Sequence, residues 1–246
     1  MAQQTLLHIT DCHLVPHGEL LLETDTNATL QLVLQQAISE KAPDAIVATG
    51  DLVHSGGLEV YRQFLAMVRS VSQKPLLCLP GNHDFAEQMI HAGLPDKPIS
   101  LGSWSIVGLD SHQDDVPKAH VDAAKLESLM TQWSARNERF AMLATHHPLL
   151  PIGSPWLDKD RVEQPGDLLD ALINSSGPIF SGALFGHAHQ EIQGHYRHHP
   201  LLGTPSTAFQ FLPRTRQFST DVRPPGYRWV TLGDNGEVDT QVRWLH

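Results

Sequence analysis

The 246-residue sequence is short of cysteine, of basic residues and of long apolar runs. Only Cys12 and Cys78 are present, and neither belongs to a C-x-x-C pair. That argues against a disulfide framework or a cysteine-rich zinc ribbon. Lys and Arg total 17 against 27 Asp and Glu, a formal charge of −10. A surface so poor in cations is unsuited to neutralising a nucleic-acid backbone or an anionic bilayer, so neither is expected as a partner. No apolar stretch approaches the roughly 20 residues that cross a bilayer. The N-terminus, Met-Ala-Gln-Gln-Thr, shows no basic segment followed by an apolar one. No leader is therefore expected, and the compartment expected is the cytoplasm.

What the chain has in excess is histidine, 16 of 246 residues. It is 41% hydrophobic, enough for one large core, so a single domain over residues 1–246 is expected. Leu6–Ile9, Ala45–Ala48, Leu76–Leu79, Trp104–Leu109, Phe140–Ala144 and Ile179–Phe185 read as short buried strands. Helical spacing separates several of them. Leu30, Val33, Leu34, Ala37 and Ile38 form one face, Tyr61, Phe64, Leu65 and Val68 another, and Leu126, Leu129, Met130 and Trp133 a third. Such alternation predicts β-α-β units with right-handed crossovers. After residue 190 the helical pattern ends. Ile192–Tyr196, Phe209–Leu212, Tyr227–Leu232 and Val238–Trp244 read as strands, with Asp234-Asn-Gly236 as a hairpin turn and 212–226 as a long loop. The fold class expected is α/β: two sheets packed together and flanked by helices.

Five clusters carry the chemistry: Asp11-Cys12-His13, Gly50-Asp51, Gly81-Asn82-His83-Asp84, His146-His147-Pro148 and Gly186-His187-Ala188-His189. Each follows an apolar, strand-like run, and ligands of open α/β sheets bind beyond the carboxyl ends of strands. Carboxylates, imidazoles and one amide, with no thiolate, suit a pair of divalent metals such as Mn, Fe, Zn or Co. Asp11 and His13 are two apart, so on an extended chain both side chains leave on one face and Cys12 on the other; His187 and His189 repeat the spacing. Gly81 lets the backbone come close to the site. Asp84 either braces the His83 loop or caps a following helix. His8 reads as a satisfied core residue, His17, His91, His120 and His246 as surface. His112 is placed to border the pocket, while His195, His198 and His199 form a loose cluster near a turn.

These motifs resemble those of the calcineurin-like metallophosphoesterase superfamily, and within it the class III cyclic-nucleotide phosphodiesterases, specifically the bacterial 3′,5′-cyclic AMP phosphodiesterases. The similarity extends through Ile9–Leu14, Ile46–Leu52, Leu79–Phe85, His146–Leu149, Trp156–Asp158, Gly186–Gln190, Thr204–Thr207 and Asp221–Leu232. It implies a four-layer α/β/β/α sandwich of two mixed sheets. It implies one metal held by Asp11, His13, Asp51 and His189, and another by Asp51, Asn82, His146 and His187, with Asp51 bridging. Iron or manganese is the implied metal, with zinc or cobalt as alternatives. His147 is implied to support rather than bind. A metal-bridged hydroxide would attack phosphorus of 3′,5′-cyclic AMP, giving 5′-AMP, and His83 would protonate the leaving oxygen. His13, Asp51, Asn82, His83 and His189 would contact the substrate. The other diesters to weigh are 2′,3′-cyclic nucleotides, glycerophosphodiesters and nucleotide-lipid pyrophosphates. A homodimer is compatible with the resemblance. His54 departs from it, since relatives often carry Asp or Tyr there; it either touches the site or faces solvent. Purine contacts are expected from 112–118 or 205–225.

Overall fold

The computed structural model describes residues 3–246. In chain order the first elements are β1 (Gln4–Ile9), α1 (Thr26–Glu40), β2 (Ala45–Thr49), α2 (Leu58–Val71), β3 (Leu76–Leu79), α3 (Ala86–His91), β4 (Ile99–Leu101), β5 (Trp104–Leu109), α4 (Ala123–Ser134) and β6 (Phe140–Thr145). There follow α5 (Pro155–Asp158), α6 (Pro165–Ile173), β7 (Ile179–Phe185), β8 (Ile192–Tyr196), β9 (His199–Gly203), β10 (Gln210–Phe211), β11 (Thr220–Asp221), β12 (Gly226–Leu232) and β13 (Val238–Trp244).

Two mixed sheets result. One has the order β13-β12-β1-β2-β3, the other β4-β5-β6-β7-β9-β8. β1, β2 and β3 are parallel, as are β5, β6, β7 and β9; β12 and β13 join the first sheet antiparallel. The alternation of side chains along each strand builds the layers. Leu7, Ile9, Ile46 and Ala48 pack with Leu30, Val33, Phe64 and Val68 of α1 and α2. Leu6, Val47 and Leu77 pack across to Ile106, Met142 and Leu184. On the far side of the second sheet, Val107, Leu143 and Ala183 meet Leu129 and Trp133 of α4 and Leu169 and Leu172 of α6. The arrangement is the four-layer α/β/β/α sandwich expected.

Several elements depart from the sequence reading. β9 falls where a turn was expected, and places His199 in a strand that pairs with β8 and, through Leu201–Gly203, with β7. α6 was not anticipated, although Pro165 at its first position and the spacing of Leu168, Leu169 and Leu172 mark it. The long loop 212–226 holds β11, which pairs with β10. His8 is fully buried between Thr49 and Thr204, its ring nitrogens 2.8 and 2.6 Å from their hydroxyls. Burial and the neighbouring Arg228 push its pKa down to about 3. Arg228 itself is 1% exposed and has no carboxylate partner among the described residues. Its guanidinium instead donates to Thr204 and Thr240 hydroxyls and to the Ile192 and Gly203 carbonyls, tying β12 to the second sheet.

Candidate metal centre

The five clusters occupy the loops that leave β1, β2, β3, β6 and β7 at their carboxyl ends. The β1 and β2 loops continue their ladder past the strands: the Asp11 amide donates to Gly50 O at 2.9 Å and the His13 amide to Asp51 O at 2.8 Å. The extended geometry expected for the D-x-H and H-x-H pairs is not what forms. Asp11, His13, Asp51, His187 and His189 all have left-handed backbones, with φ of 51, 46, 49, 64 and 48°. Each pair therefore meets because both members turn, not because an extended chain alternates. Asp and His tolerate this region better than most residues, yet it persists only where the surroundings impose it. Here the Ser206 hydroxyl donates to the Asp11 carbonyl at 2.7 Å, and the His187 amide donates to the Asp11 carboxylate at 3.0 Å. The loops also pack backbone to backbone. A Cβ on Gly50 would lie 2.6 Å from both the Gly81 nitrogen and His146 Nδ1.

Seven side chains converge in two groups. In the first, His13 Nε2 and His189 Nε2 lie 3.0 Å apart, and His189 Nε2 is 3.3 Å from Asp11 Oδ1. In the second, Asn82 Oδ1 is 3.1 Å from His146 Nε2 and 2.9 Å from His187 Nδ1, and the two imidazole nitrogens are 3.3 Å apart. Asp51 Oδ2 stands between the groups, 3.6 Å from His13 Nε2 and 3.6 Å from His146 Nε2.

The chemistry of this donor set fits cations. Donors that bind one metal at 2.0–2.2 Å sit roughly 3 Å from one another. His146 Nδ1 lies 2.7 Å from Thr49 O and His189 Nδ1 2.7 Å from Phe209 O, so these nitrogens carry the protons. The Nε2 lone pairs are thereby aimed into the centre, the second-shell pattern of metal-binding imidazoles. Burial, reinforced by the neighbouring imidazoles, holds His13 and His187 well below the usual histidine range. Neutral imidazole is the ligating form. Burial alone would raise the Asp11 carboxyl, but His189 and the Thr10 hydroxyl bring it below the ordinary carboxylate range.

His147 also lies close, with a ring nitrogen within 4.8 Å of nitrogens of His146 and His187, but its Nε2 is 3.1 Å from Pro117 O and its Nδ1 is 2.9 Å from the Ser111 hydroxyl. Asp84 braces rather than caps: the N-cap of α3 is Phe85, and no side chain caps the helix. Its carboxylate accepts from the Leu52, Val53 and Gly81 amides and the Tyr61 hydroxyl at 2.9–3.1 Å. His112, placed by the sequence near the pocket, is instead clasped by Asp110 at 2.7 Å and Asp114 at 2.9 Å. It does not line the cleft.

The cleft over the donors has a volume of about 440 Å³. His83 is exposed on its wall, its ring 5.0 Å from that of His13 and 4.8 Å from that of His54, while its amide donates to Asp51 Oδ1 at 2.9 Å. His54 thus faces the site rather than bulk solvent alone. No lysine or arginine lines the cleft among the described residues, whereas Asp115 and Asp160 do. Trp156, Phe211 and Phe218 form its apolar end. Sequence reasoning singled out the segments that hold these rings and Asp115 but not the residues, and it missed Asp160. The signal available was an aromatic-rich stretch, Phe209 to Phe218, in a loop with no core to fill.

A family model described as calcineurin-like phosphoesterase matches residues 4–191. The Pseudomonas aeruginosa protein named 3′,5′-cyclic adenosine monophosphate phosphodiesterase CpdA is 33% identical over 247 residues, covering 98% of this chain and 90% of that protein. Its Escherichia coli K12 namesake is 35% identical over 252 residues, covering 99% of this chain and 90% of that one. Among solved structures, the purple acid phosphatase PPD1 of yellow lupin superposes with a TM-score of 0.66 at 14% identity, over 99% of this chain and 52% of that one. At that identity the likeness concerns the fold.

Proposed function

The chain belongs to the calcineurin-like phosphoesterase family, and on that premise we propose that it is a phosphodiesterase that hydrolyses 3′,5′-cyclic AMP to 5′-AMP at a two-metal centre. The observation that carries the reading is the position of Asp51 Oδ2, 3.6 Å from a nitrogen of each donor group. Asp11, His13, Asp51 and His189 would hold one divalent ion and Asp51, Asn82, His146 and His187 the other. Iron or manganese suits this oxygen and imidazole set, with zinc or cobalt as alternatives. When bound, the two ions would lower the pKa of a water and neutralise charge on the phosphoryl oxygens.

The chain's own residues would do the rest. His13, Asn82 and His189 flank the space where the phosphoryl group must sit. His83, tethered through its amide to Asp51, would give a proton to the 3′ oxygen as the P–O3′ bond breaks. Water supplies the new oxygen on phosphorus, so the product is the 5′-monoester. That no lysine or arginine lines the cleft among the described residues supports a substrate of low charge. A cyclic diester is a monoanion, which two divalent ions can balance beside the Asp11 and Asp51 carboxylates; a nucleotide-lipid pyrophosphate brings more charge past Asp115 and Asp160. CpdA relatives named for cyclic AMP add weight to that choice.

The test is a panel of 3′,5′-cyclic AMP, 3′,5′-cyclic GMP, 2′,3′-cyclic AMP, glycerophosphocholine and bis-p-nitrophenyl phosphate, each with Mn, Fe and Zn. The reading predicts the highest kcat/KM among them on 3′,5′-cyclic AMP. A far lower value there than on the other diesters would overturn the substrate while leaving the centre standing.

A further inference from the structure

Beyond the donors, the cleft ends in three rings, Trp156, Phe211 and Phe218, that belong to none of the three core clusters. The Phe211 ring lies parallel to the His189 ring, with centroids 3.9 Å apart and planes 14° from each other. Phe211 in turn meets Trp156 edge-on at 5.1 Å and Phe218 edge-on at 5.4 Å, and Trp156 meets Phe218 at 5.7 Å. An aromatic wall thus starts at a metal-donor imidazole and runs outward. Phe218 is 52% exposed, although it sits in the loop of the β10–β11 ribbon with solvent freely available to polar residues. Exposed aromatic surface at a cleft mouth marks a contact for a ligand rather than for the fold.

The acids that line the cleft away from the donors, Asp115 and Asp160, narrow the ligand's class. Asp160 is 8% exposed, and its carboxyl accepts no hydrogen bond among the described residues. An acyl chain would fill an apolar wall but offer nothing to such a group. A planar heterocycle with an exocyclic amine stacks on the rings and donates to the acid. We infer that Trp156, Phe211 and Phe218 form a stacking platform for the nucleobase of the substrate, with Asp160 accepting from its exocyclic amine. The inference rests on the cyclic-nucleotide reading above and assigns that reading's base-binding end.

Stacking of one base on aromatic side chains, removed by alanine substitution, is worth about 1–3 kcal/mol, or roughly 5- to 150-fold in affinity. The experiment compares KM for 3′,5′-cyclic AMP with KM for the 3′,5′-cyclic phosphate of 1-deoxyribose, which keeps sugar and diester and lacks the base. In the wild type, loaded with Mn, the abasic compound should have the higher KM by at least 10-fold. In Phe218→Ala that ratio should fall several-fold, with kcat on cyclic AMP little changed. Phe218→Tyr should restore it, and Phe218→Leu, which keeps apolar volume without a ring, should not. Asp160→Asn should narrow the preference for cyclic AMP over the cyclic nucleotide of unsubstituted purine. Equal KM values for the two compounds in the wild type, or full rescue by leucine, would overturn the platform while leaving the diesterase intact. A wild type inert on both, yet active on bis-p-nitrophenyl phosphate, would overturn the cyclic-nucleotide reading and the platform together.

Discussion

Tyr61 donates its hydroxyl to the buried carboxylate of Asp84 across 3.0 Å and accepts the Phe85 amide at 2.8 Å. Through this pair helix α2 holds the two loops that carry Asp51 and Asn82. Tyr61→Phe removes one of the four donors to Asp84 and should cost about 1–3 kcal/mol, read as a lower urea midpoint. Asp84→Ala strands three backbone N–H groups and should cost more. It should also weaken metal retention, which Tyr61→Phe should leave near normal at saturating metal. Equal losses from the two variants would mean that the carboxylate does not organise the loops.

His146 and His147 are adjacent in sequence, and the proposed centre gives them different duties. His146→Ala should lower bound metal by about one equivalent per chain, measured by elemental analysis after dialysis. His147→Ala breaks contacts to Ser111 and Pro117 instead. It should cost about 2–4 kcal/mol in stability and leave metal content at saturation unchanged. A reversed pattern would exchange the two assignments.

His83→Ala should keep both metals and lose about 10²- to 10⁴-fold in kcat on cyclic AMP. The loss should be far smaller on bis-p-nitrophenyl phosphate, whose leaving group departs without a proton. A loss of the same size on both substrates would point to binding of the phosphoryl group rather than proton donation.

His112 offers a pH signature away from the metals. Burial lowers its pKa, but the hydrogen bonds and charges of Asp110 and Asp114 outweigh burial and the nearby Lys125, and the net shift is upward. A raised histidine stabilises fully below its unfolded pKa, about 6.5, and loses that contribution as pH rises through the folded value. His112→Gln should therefore be most destabilised relative to wild type near pH 6, by about 1 kcal/mol more than near pH 9. Urea midpoints at the two pH values give the difference. A gap that widens with pH would contradict the ion pairs.

Much of this was legible because strand ends are legible. Asp51 follows the run Ala45–Thr49 and His146 follows Phe140–Thr145, so apolar pattern and donor residue announce each other. What could not be read was backbone hand. Asp11 and His13 satisfy the spacing rule for an extended chain, yet both are left-handed where their amides bond the β2 loop and Ser206 holds the Asp11 carbonyl. Capping and bracing both stayed open for Asp84 because two of its partners, Leu52 and Val53, are 32 and 31 positions away. Thr204 and Ser206 stood out as a motif with no visible purpose. One joins His8 to Arg228 and the other pins the Asp11 carbonyl, contacts that exist only once both sheets are packed. The aromatic wall stayed hidden for the same reason, since Trp156 comes from α5 and Phe218 from the loop between β10 and β11.

β1 lies between β2 and β12, so the first strand made is completed by nearly the last. His13 and His189, which touch at 3.0 Å, are 176 positions apart. At roughly 5–20 residues per second, a growing chain holds Asp11 and His13 for about 10–35 s before their partner is synthesised. Until His189 is made, the site proposed for Asp11, His13 and Asp51 lacks its fourth ligand. On the proposed two-metal reading, that site would be completed only in the finished protein, and the choice of ion would fall to the folded cleft rather than to the nascent chain.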